Sequence, residues 1–385
     1  MLASERPRLR DLGYRVGELP VGPGNAITDV AGVLVGHVTL YQPELGVCTG
    51  VTALRPHPGN VFREKVVAAV HVINGYGKAM GLAQVAELGT LETPVVLTNT
   101  LSVGTVAEGL VRWMLEQDPG IGGSAGTVNP VVMECNDGYL NDIRLLAVRP
   151  EHVRQALEVA ASVPPREGAV GAGTGMVCYG FKGGIGTASR VVMGEAGTFT
   201  LGVLVLANFG RRRDLTILGF PVGLRLGVDA AGAGTADARG AAPGGAEAGC
   251  AVAGDRGGSV IVVVATDAPL TSRQLGRLAR RAVVGLARTG SYVGHSSGDF
   301  VLAFTTATRY CHDASDGVYW AGFLPDHGGT FSGLSRAVVE ATEEAVLNAL
   351  FRATTTRGRL GRVVEAVPVE KVLAMLRQGG SYLKN

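Results

Sequence analysis

Three short stretches set a serine among glycines and so offer hydroxyl chemistry: GGSAG at 122–126, GHSSG at 294–298 and RGGSVIVVV at 256–264. A serine hydroxyl is a weak nucleophile unless a base stands beside it. The first two stretches match G-x-S-x-G around Ser124 and Ser296, a pattern that exposes the hydroxyl when a strand precedes it and a helix follows. Ser124 instead follows the loop-like EQDPGI and precedes the strand pattern TVNPVVMEC, and Ser296 follows a helix end and precedes DFVLAFTT. Neither context fits. His295 lies close to Ser297 and Asp299, but GHSSGD is a single loop, whereas a Ser-His-Asp triad draws its members from separate elements.

The third stretch offers a different solution. An N-terminal residue carries its own base, because an α-amino group has an unperturbed pKa of about 7.7–8.0 and takes a hydroxyl proton near neutral pH. For Ser259 this requires the Gly258–Ser259 bond to be broken. A glycine before the serine lets its carbonyl approach the hydroxyl, and a loose upstream segment lets the severed end leave. The plain alternative is that Ser259 is the first polar residue of a strand, and pattern alone favours that alternative.

Metal and cofactor signals are weak. The seven histidines are scattered without HExxH or a Cys/His cluster. The glycine-rich GAGTGMVCYGFKGGIG at 171–186 lacks the strand, G-x-G-x-x-G, helix order of a dinucleotide loop. It reads as a turn-rich, closely packed segment, and no metal or organic cofactor is expected.

The elements that must position these groups alternate. GVLVGHVTL, KVVAAVHVI, TPVVLTNT, PVVMEC, FTLGVLVLANF, SVIVVVATD and FVLAFTT read as short apolar strands. AMGLAQVAELGTL, VGTVAEGLVRWMLEQ, PEHVRQALEVAASV, TSRQLGRLARRAVVGLART and SGLSRAVVEATEEAVLNALFRA read as helices, the fourth capped by Thr271 and stopped by Gly290. Such continuous apolar strands imply sheets covered on both faces. Between residues 227 and 258, 21 of 32 residues are Gly or Ala with no apolar periodicity, the composition of a linker.

Composition sets the outer limits. The chain has 385 residues, 46% hydrophobic and 18% charged, enough for a large core, and 58 glycines with no Gly-X-Y period. A net charge of +2 with interspersed signs gives no reason to expect nucleic acid or an anionic membrane as partner. Five cysteines without a CxxC pair fit a reducing compartment, and the charged N-terminus lacks a signal-peptide core. A cytoplasmic protein with a small substrate is expected.

With these residues in view, the sequence resembles the DmpA-type family, peptidase family S58, which includes L-aminopeptidase/D-amino-acid esterase-amidases and β-peptidyl aminopeptidases. GGSVIVVVATDAPLTSRQL is similar to that family's self-cleaving junction. GPGNAITDVAGVLVGHVTL, NGYGKAMGLAQVAELGTLETPVVLTNTLSVGTV, ECNDGYLNDIR, GAGTGMVCYGFKGGIGTASR, LGVLVLANFGRR and HSSGDFVLAFTT follow in family order, so the resemblance spans most of the chain. It implies a four-layer α/β/β/α sandwich of N-terminal-nucleophile type and autocleavage between Gly258 and Ser259. A single catalytic domain of 1–385 would then become an α chain of 1–258 and a β chain of 259–385.

The resemblance implies roles one residue at a time. Ser259 matches the nucleophile with a free amine, and Asn208 of LANFG the oxyanion donor. Ser297 and Asp299 match the pair that supports the nucleophile and its amine, although some members carry Glu where this chain has Asp299. Glu134 matches the acid that meets the substrate's ammonium, with Tyr139 beside it as a pocket or intermediate contact. The implied activity is a serine aminopeptidase acting on short peptides, amino-acid amides or esters, assembled as a homo-oligomer of αβ units. The alternatives are an acyltransferase of related fold, as in the ornithine acetyltransferases, or an uncut binding or scaffold protein.

Overall fold

Alternating apolar residues define the strands, and the faces they present decide how the layers stack. The structure, a computed structural model, describes residues 6–230, 258–313 and 317–378. In chain order the strands are β1 (Leu34–Gln42), β2 (Val47–Arg55), β3 (Glu64–Gly75), β4 (Ala79–Met80), β5 (Thr90–Leu91), β6 (Val95–Asn99), β7 (Val131–Cys135), β8 (Val177–Cys178), β9 (Phe181–Lys182), β10 (Gly184–Gly194), β11 (Gly197–Asn208), β12 (Ser259–Thr266) and β13 (Gly298–Cys311). The helices are α1 (Leu82–Leu88), α2 (Val103–Gln117), α3 (Pro150–Glu158), α4 (Val222–Ala230), α5 (Ser272–Ala279), α6 (Ala282–Arg288), α7 (Gly329–Arg352) and α8 (Val369–Gln378). One sheet has the order β1-β2-β6-β7-β4, and the other β10-β11-β12-β13-β3-β5.

Side chains alternate faces along a strand, so each central strand feeds two cores. On β12, Ile261, Val263 and Ala265 pack between the sheets with Leu204 and Leu206 of β11 and Met133 and Cys135 of β7. Val260, Val262 and Val264 point the other way, onto Leu278 of α5, Leu286 of α6 and Val338 of α7. The opposite face of the first sheet, including Val96 and Val132, packs on Leu110 of α2 and Val153 of α3. The result is helices, sheet, sheet, helices, the four-layer sandwich. Ser259 and Asn208 share the parity of Ile261 and Leu206, so both strand ends face the gap between the sheets.

Three helix readings need correction. AMGLAQVAELGTL is helical over Leu82–Leu88 alone. Gly81 and Gly89 bound it in the left-handed region, at φ +77° and +66°, and the flanks pair as β4 and β5. TSRQLGRLARRAVVGLART forms two helices that break at Arg280 and Arg281. The first half packs on the second sheet, and the second half turns to meet α7, where a Cβ on Gly285 would lie 2.6 Å from Thr342. The third, PEHVRQALEVAASV, stops at Glu158 because Ala161 exchanges backbone hydrogen bonds with Val35 at 3.0 and 3.1 Å. The Thr271 cap is present, with its hydroxyl accepting from the Gln274 N–H at 3.2 Å.

The Gly/Ala segment divides differently from its composition. Its first four residues complete α4, residues 231–257 lie outside the described residues, and Gly258 leads directly into β12. Among the described residues no helix is long and apolar enough to cross a membrane.

Candidate active site

Three strand ends meet at Ser259. β12 runs antiparallel to β11, pairing Ser259 with Asn208, and parallel to β13, pairing Ser259 with Gly298. The last residue of β11 therefore sits beside the first residues of β12 and β13. Across the inter-sheet gap, β7 ends at Cys135, and Asn136 follows it. A cleft of about 760 Å³ opens here, lined by Ser259, Gly258, Asn208, Asn136, Glu134 and Tyr139 among others.

Two donors converge on the Ser259 hydroxyl. The Asn208 Nδ2 amide and the Asn136 backbone N–H each lie 3.4 Å from Ser259 Oγ. Donors this near Oγ are the groups placed to meet an oxygen that develops on a carbon bonded to it. The Asn208 amide is held by its other contacts. Its Oδ1 accepts from the Val177 N–H at 2.9 Å, and its Nδ2 also donates to the Asn136 carbonyl at 2.9 Å. The segment leading into β8 is itself clamped by Lys182 of β9, which is fully buried and donates to the carbonyls of Gly173, Met176 and Gly183 at 2.8–2.9 Å. Burial pulls the Lys182 ammonium down to about 8.

A second group lies behind the cleft wall. Ser297 and Asp299 are buried, and the Ser297 hydroxyl donates to Asp299 Oδ1 at 2.6 Å. The same carboxylate oxygen accepts from the Val260 N–H at 3.0 Å, one residue from Ser259. An Asp therefore reaches both partners. A register shift between Asp299 and Phe300 in the pairing of β13 with β3 accompanies this placement. Burial pushes the Asp299 carboxyl up to about 6, against the two hydrogen bonds, which favour its charged form.

Glu134 supplies a negative pole. It is 2% exposed yet lines the cleft. The Lys78 N–H donates to its Oε1 at 2.8 Å and the Thr100 hydroxyl donates to its Oε2. Two contacts leave lone pairs free on a carboxylate that offers about four acceptor positions. Tyr139 forms another part of the wall, packed on Cys48, Leu140, Val177 and Val364, with Arg362 4.8 Å over its ring. Close packing of backbones shapes the floor, since a Cβ on Gly298 would lie 2.5 Å from Gly77 Cα.

The expected residues fall into two sets. Ser259, Asn208, Glu134, Tyr139 and Gly258 line the cleft, while Ser297 and Asp299 support its wall from behind. Ser124 lies exposed on a turn, away from this group, and His295 is exposed in its loop. Ser296 borders the cleft. Sequence reasoning expects a backbone N–H beside Asn208 without identifying it as that of Asn136, and it missed Thr100 and Lys182. A backbone donor has no side-chain signature, and Lys182 is masked by the glycines around it.

Comparison with known proteins bears on the chain as a whole. The profile of peptidase family S58 matches residues 25–364. Beta-peptidyl aminopeptidase BapA of Sphingosinicella microcystinivorans is 41% identical over 384 residues, 98% of this chain and 93% of that protein. The crystal structure of the PH0078 protein from Pyrococcus horikoshii OT3 superposes with a TM-score of 0.87 at 48% identity, covering 97% and 99% of the two chains. The L-aminopeptidase D-Ala-esterase/amidase of Ochrobactrum anthropi, described as a variant of the Ntn hydrolase fold, superposes at 0.84 with 38% identity and coverage of 98% and 99%. A family match over nearly the whole length, on this fold, has one conclusion: the chain belongs to peptidase family S58 and is a hydrolase of the aminopeptidase class.

Proposed function

We propose that the chain cuts itself between Gly258 and Ser259, and that Ser259, now N-terminal, removes the first residue from short peptides, amino-acid amides or esters. The observation that carries this reading is the convergence of Asn208 Nδ2 and the Asn136 N–H on Ser259 Oγ. In self-processing, the hydroxyl adds to the Gly258 carbonyl and the peptide nitrogen leaves, giving an ester. The Ser259 amine is free from that point, and water then hydrolyses the ester, releasing the Gly258 carboxylate and restoring the Ser259 hydroxyl. Gly258 suits this step because a Cβ there would press within 2.9 Å of Phe209 Cα.

Turnover on substrate uses the same atoms. The Ser259 amine takes the hydroxyl proton, Oγ attacks the scissile carbonyl, and the new oxyanion rests between Asn208 and Asn136. The amine returns its proton to the departing amine, and water, activated by the same base, releases the acyl group as free acid. Asp299, held by Ser297, fixes the Val260 N–H and biases the neighbouring amine electrostatically. Glu134 receives the substrate's ammonium, which makes a free amino terminus a requirement, and Tyr139 bounds the pocket.

Assembly of αβ units into a homo-oligomer belongs to the same reading, supported by the exposure of Tyr319 and Trp320 side by side. So does a cytoplasmic setting, which suits the free, exposed Cys311 thiol.

The substrate reading is tested with p-nitroanilides of L-α, D-α and β-amino acids, the last included because one relative is a β-peptidyl aminopeptidase. Release of p-nitroaniline from at least one of them, and from no N-acetylated counterpart, is the expected result. Glu134→Gln should lower kcat/KM on the order of 10²-fold, mainly through KM, because it leaves an ammonium unpaired. An unchanged KM would remove Glu134 from substrate binding.

The pH profile carries a second expectation. Activity needs the Ser259 amine neutral, so log kcat/KM falls with unit slope as pH drops below the amine pKa. It also needs Asp299 charged, so a second break appears at or below about pH 6, where the slope becomes two. The Ser259 ammonium favours the carboxylate and moves that break down, not up. Asp299→Asn should restore a slope of one; a slope of two persisting in that variant would assign the second break elsewhere.

A further inference from the structure

The cleft is charged unevenly. Besides Glu134, its lining includes three guanidinium groups, Arg144, Arg359 and Arg362. One carboxylate serves two of them: Arg144 and Arg359 each approach Asp142 at 3.3 Å. Arg362 donates to the Tyr139 carbonyl at 3.0 Å and stacks on the Tyr139 ring. Arg359 Nε is buried without a hydrogen-bond partner. Three cations against one carboxylate leave this wall positive; water screens the 79% exposed Arg144 side chain, but less so the 22% exposed Arg359, which an anion would neutralise.

The segment that delivers two of these arginines is tightly seated. Strands Thr356–Arg357 and Val363–Val364 form a small hairpin, and Arg359 and Arg362 lie in its loop. The Arg359 N–H donates to the Leu140 carbonyl at 2.7 Å, and the Gly358 N–H to the Arg362 carbonyl at 2.8 Å. A Cβ on Gly358 would lie 2.3 Å from the Leu140 carbonyl oxygen, so only glycine lets the hairpin sit this close to the 137–142 turn. The loop also holds Leu360 at φ +56°, a conformation that a leucine adopts only under constraint. That turn carries Tyr139 and follows the Asn136 oxyanion donor, so the hairpin fixes both guanidiniums relative to the reacting centre.

We infer that Arg362 and Arg359, with Arg144 at the rim, form a carboxylate subsite for the residue that follows the scissile bond. The inference rests on Glu134 and Ser259 acting as proposed above. A dipeptide is then held at both ends, its ammonium at Glu134 and its C-terminal carboxylate at the arginine wall. Guanidinium groups suit this task because their planar forks match a carboxylate in two parallel hydrogen bonds. An acidic side chain at the second position presents the same chemistry.

The test compares three substrates sharing the first residue that the wild-type enzyme releases best as a p-nitroanilide: that residue joined to alanine, to alanine amide and to glutamate amide. The free acid should exceed alanine amide in kcat/KM by at least about tenfold, through KM, as expected for a charge-assisted hydrogen bond. Glutamate amide reports whether a side-chain carboxylate serves as well as the terminal one. The acid-to-amide ratio should fall severalfold in R362Q and in R359Q, reach about one in the double variant, and be largely retained in R362K. A wild-type ratio near one, or a ratio unmoved in the folded double variant, overturns the subsite. If no p-nitroanilide is cleaved, the aminopeptidase reading has failed instead. Calorimetric binding of the acid and amide dipeptides to the wild-type chain then tests the arginine wall on its own, and equal affinities overturn it.

Discussion

A Ser259→Ala protein is expected to persist as a single 39.6 kDa chain and to lose hydrolysis on the order of 10⁴-fold or more. Both losses trace to one oxygen, because the hydroxyl that would attack the Gly258 carbonyl is the one that would attack substrate. No neighbouring group replaces it. Cys135 lies beneath Ser259, but burial pushes its thiol well above its ordinary value and the Glu134 charge adds to the effect, so no thiolate is available. Ser297 is committed to Asp299. The effect is read as p-nitroaniline release together with the band pattern on a denaturing gel. A single-chain variant with near wild-type turnover would show that Ser259 is not the nucleophile.

The second large effect is expected at Asn208. Truncating an oxyanion donor costs on the order of 10²–10³-fold in kcat, and Asn208→Ala should show this loss with little change in KM. The side chain does two further things that set a control. It satisfies the Val177 N–H and the Asn136 carbonyl, both at 2.9 Å, so the alanine variant also loses about 1–3 kcal/mol of stability from unpaired buried groups. Asn208→Asp separates the contributions, since it keeps the acceptor for Val177 but replaces the amide donor with a carboxylate oxygen facing the developing charge. Its kcat should fall at least as far as that of the alanine variant. A kcat within tenfold of wild type in both would mean that the Asn136 N–H carries the oxyanion alone.

Much of the architecture was legible because burial on both sides leaves a simple mark. The apolar runs from Val95, Val131, Val203 and Ser259 became central strands of the two sheets, and α2 and α7 followed their 3.6-residue patterns. What escaped were strands whose side chains had been traded for close approach. β2 reads VCTGVTALR, and a Cβ on its Gly50 would lie 2.3 Å from the Val38 carbonyl oxygen. β10 reads GIGTASRVVMG, and a Cβ on Gly186 would lie 1.9 Å from the Ala345 carbonyl oxygen of α7. Glycine there signals a pressed surface instead of a turn, and a strand pattern does not record it.

The candidate site was legible only through the family resemblance. Ser259, Asn208, Asp299 and Glu134 are ordinary polar residues at strand ends, far apart in sequence, and composition gives no reason to join them. Their common origin is topological: β11 ends where β12 and β13 begin, and β7 ends across the inter-sheet gap. The Asn136 N–H and the Lys182 clamp lie one step further from the sequence, because a main-chain donor and a buried ammonium bonded to three carbonyls reveal themselves only once the chain is folded. The arginine wall is similar, since Arg144 and Arg362 are more than two hundred residues apart.

The central claim is that this chain makes its own catalytic amine. Purified, newly made protein followed over time by denaturing mass spectrometry tests it most directly. The account predicts that the 39.6 kDa species gives way to two fragments, residues 1–258 and 259–385, the second beginning with Ser259, and that hydrolysis rises in step. An intact chain that hydrolyses peptides at full rate, or a cut at any other bond accompanying activity, would contradict it.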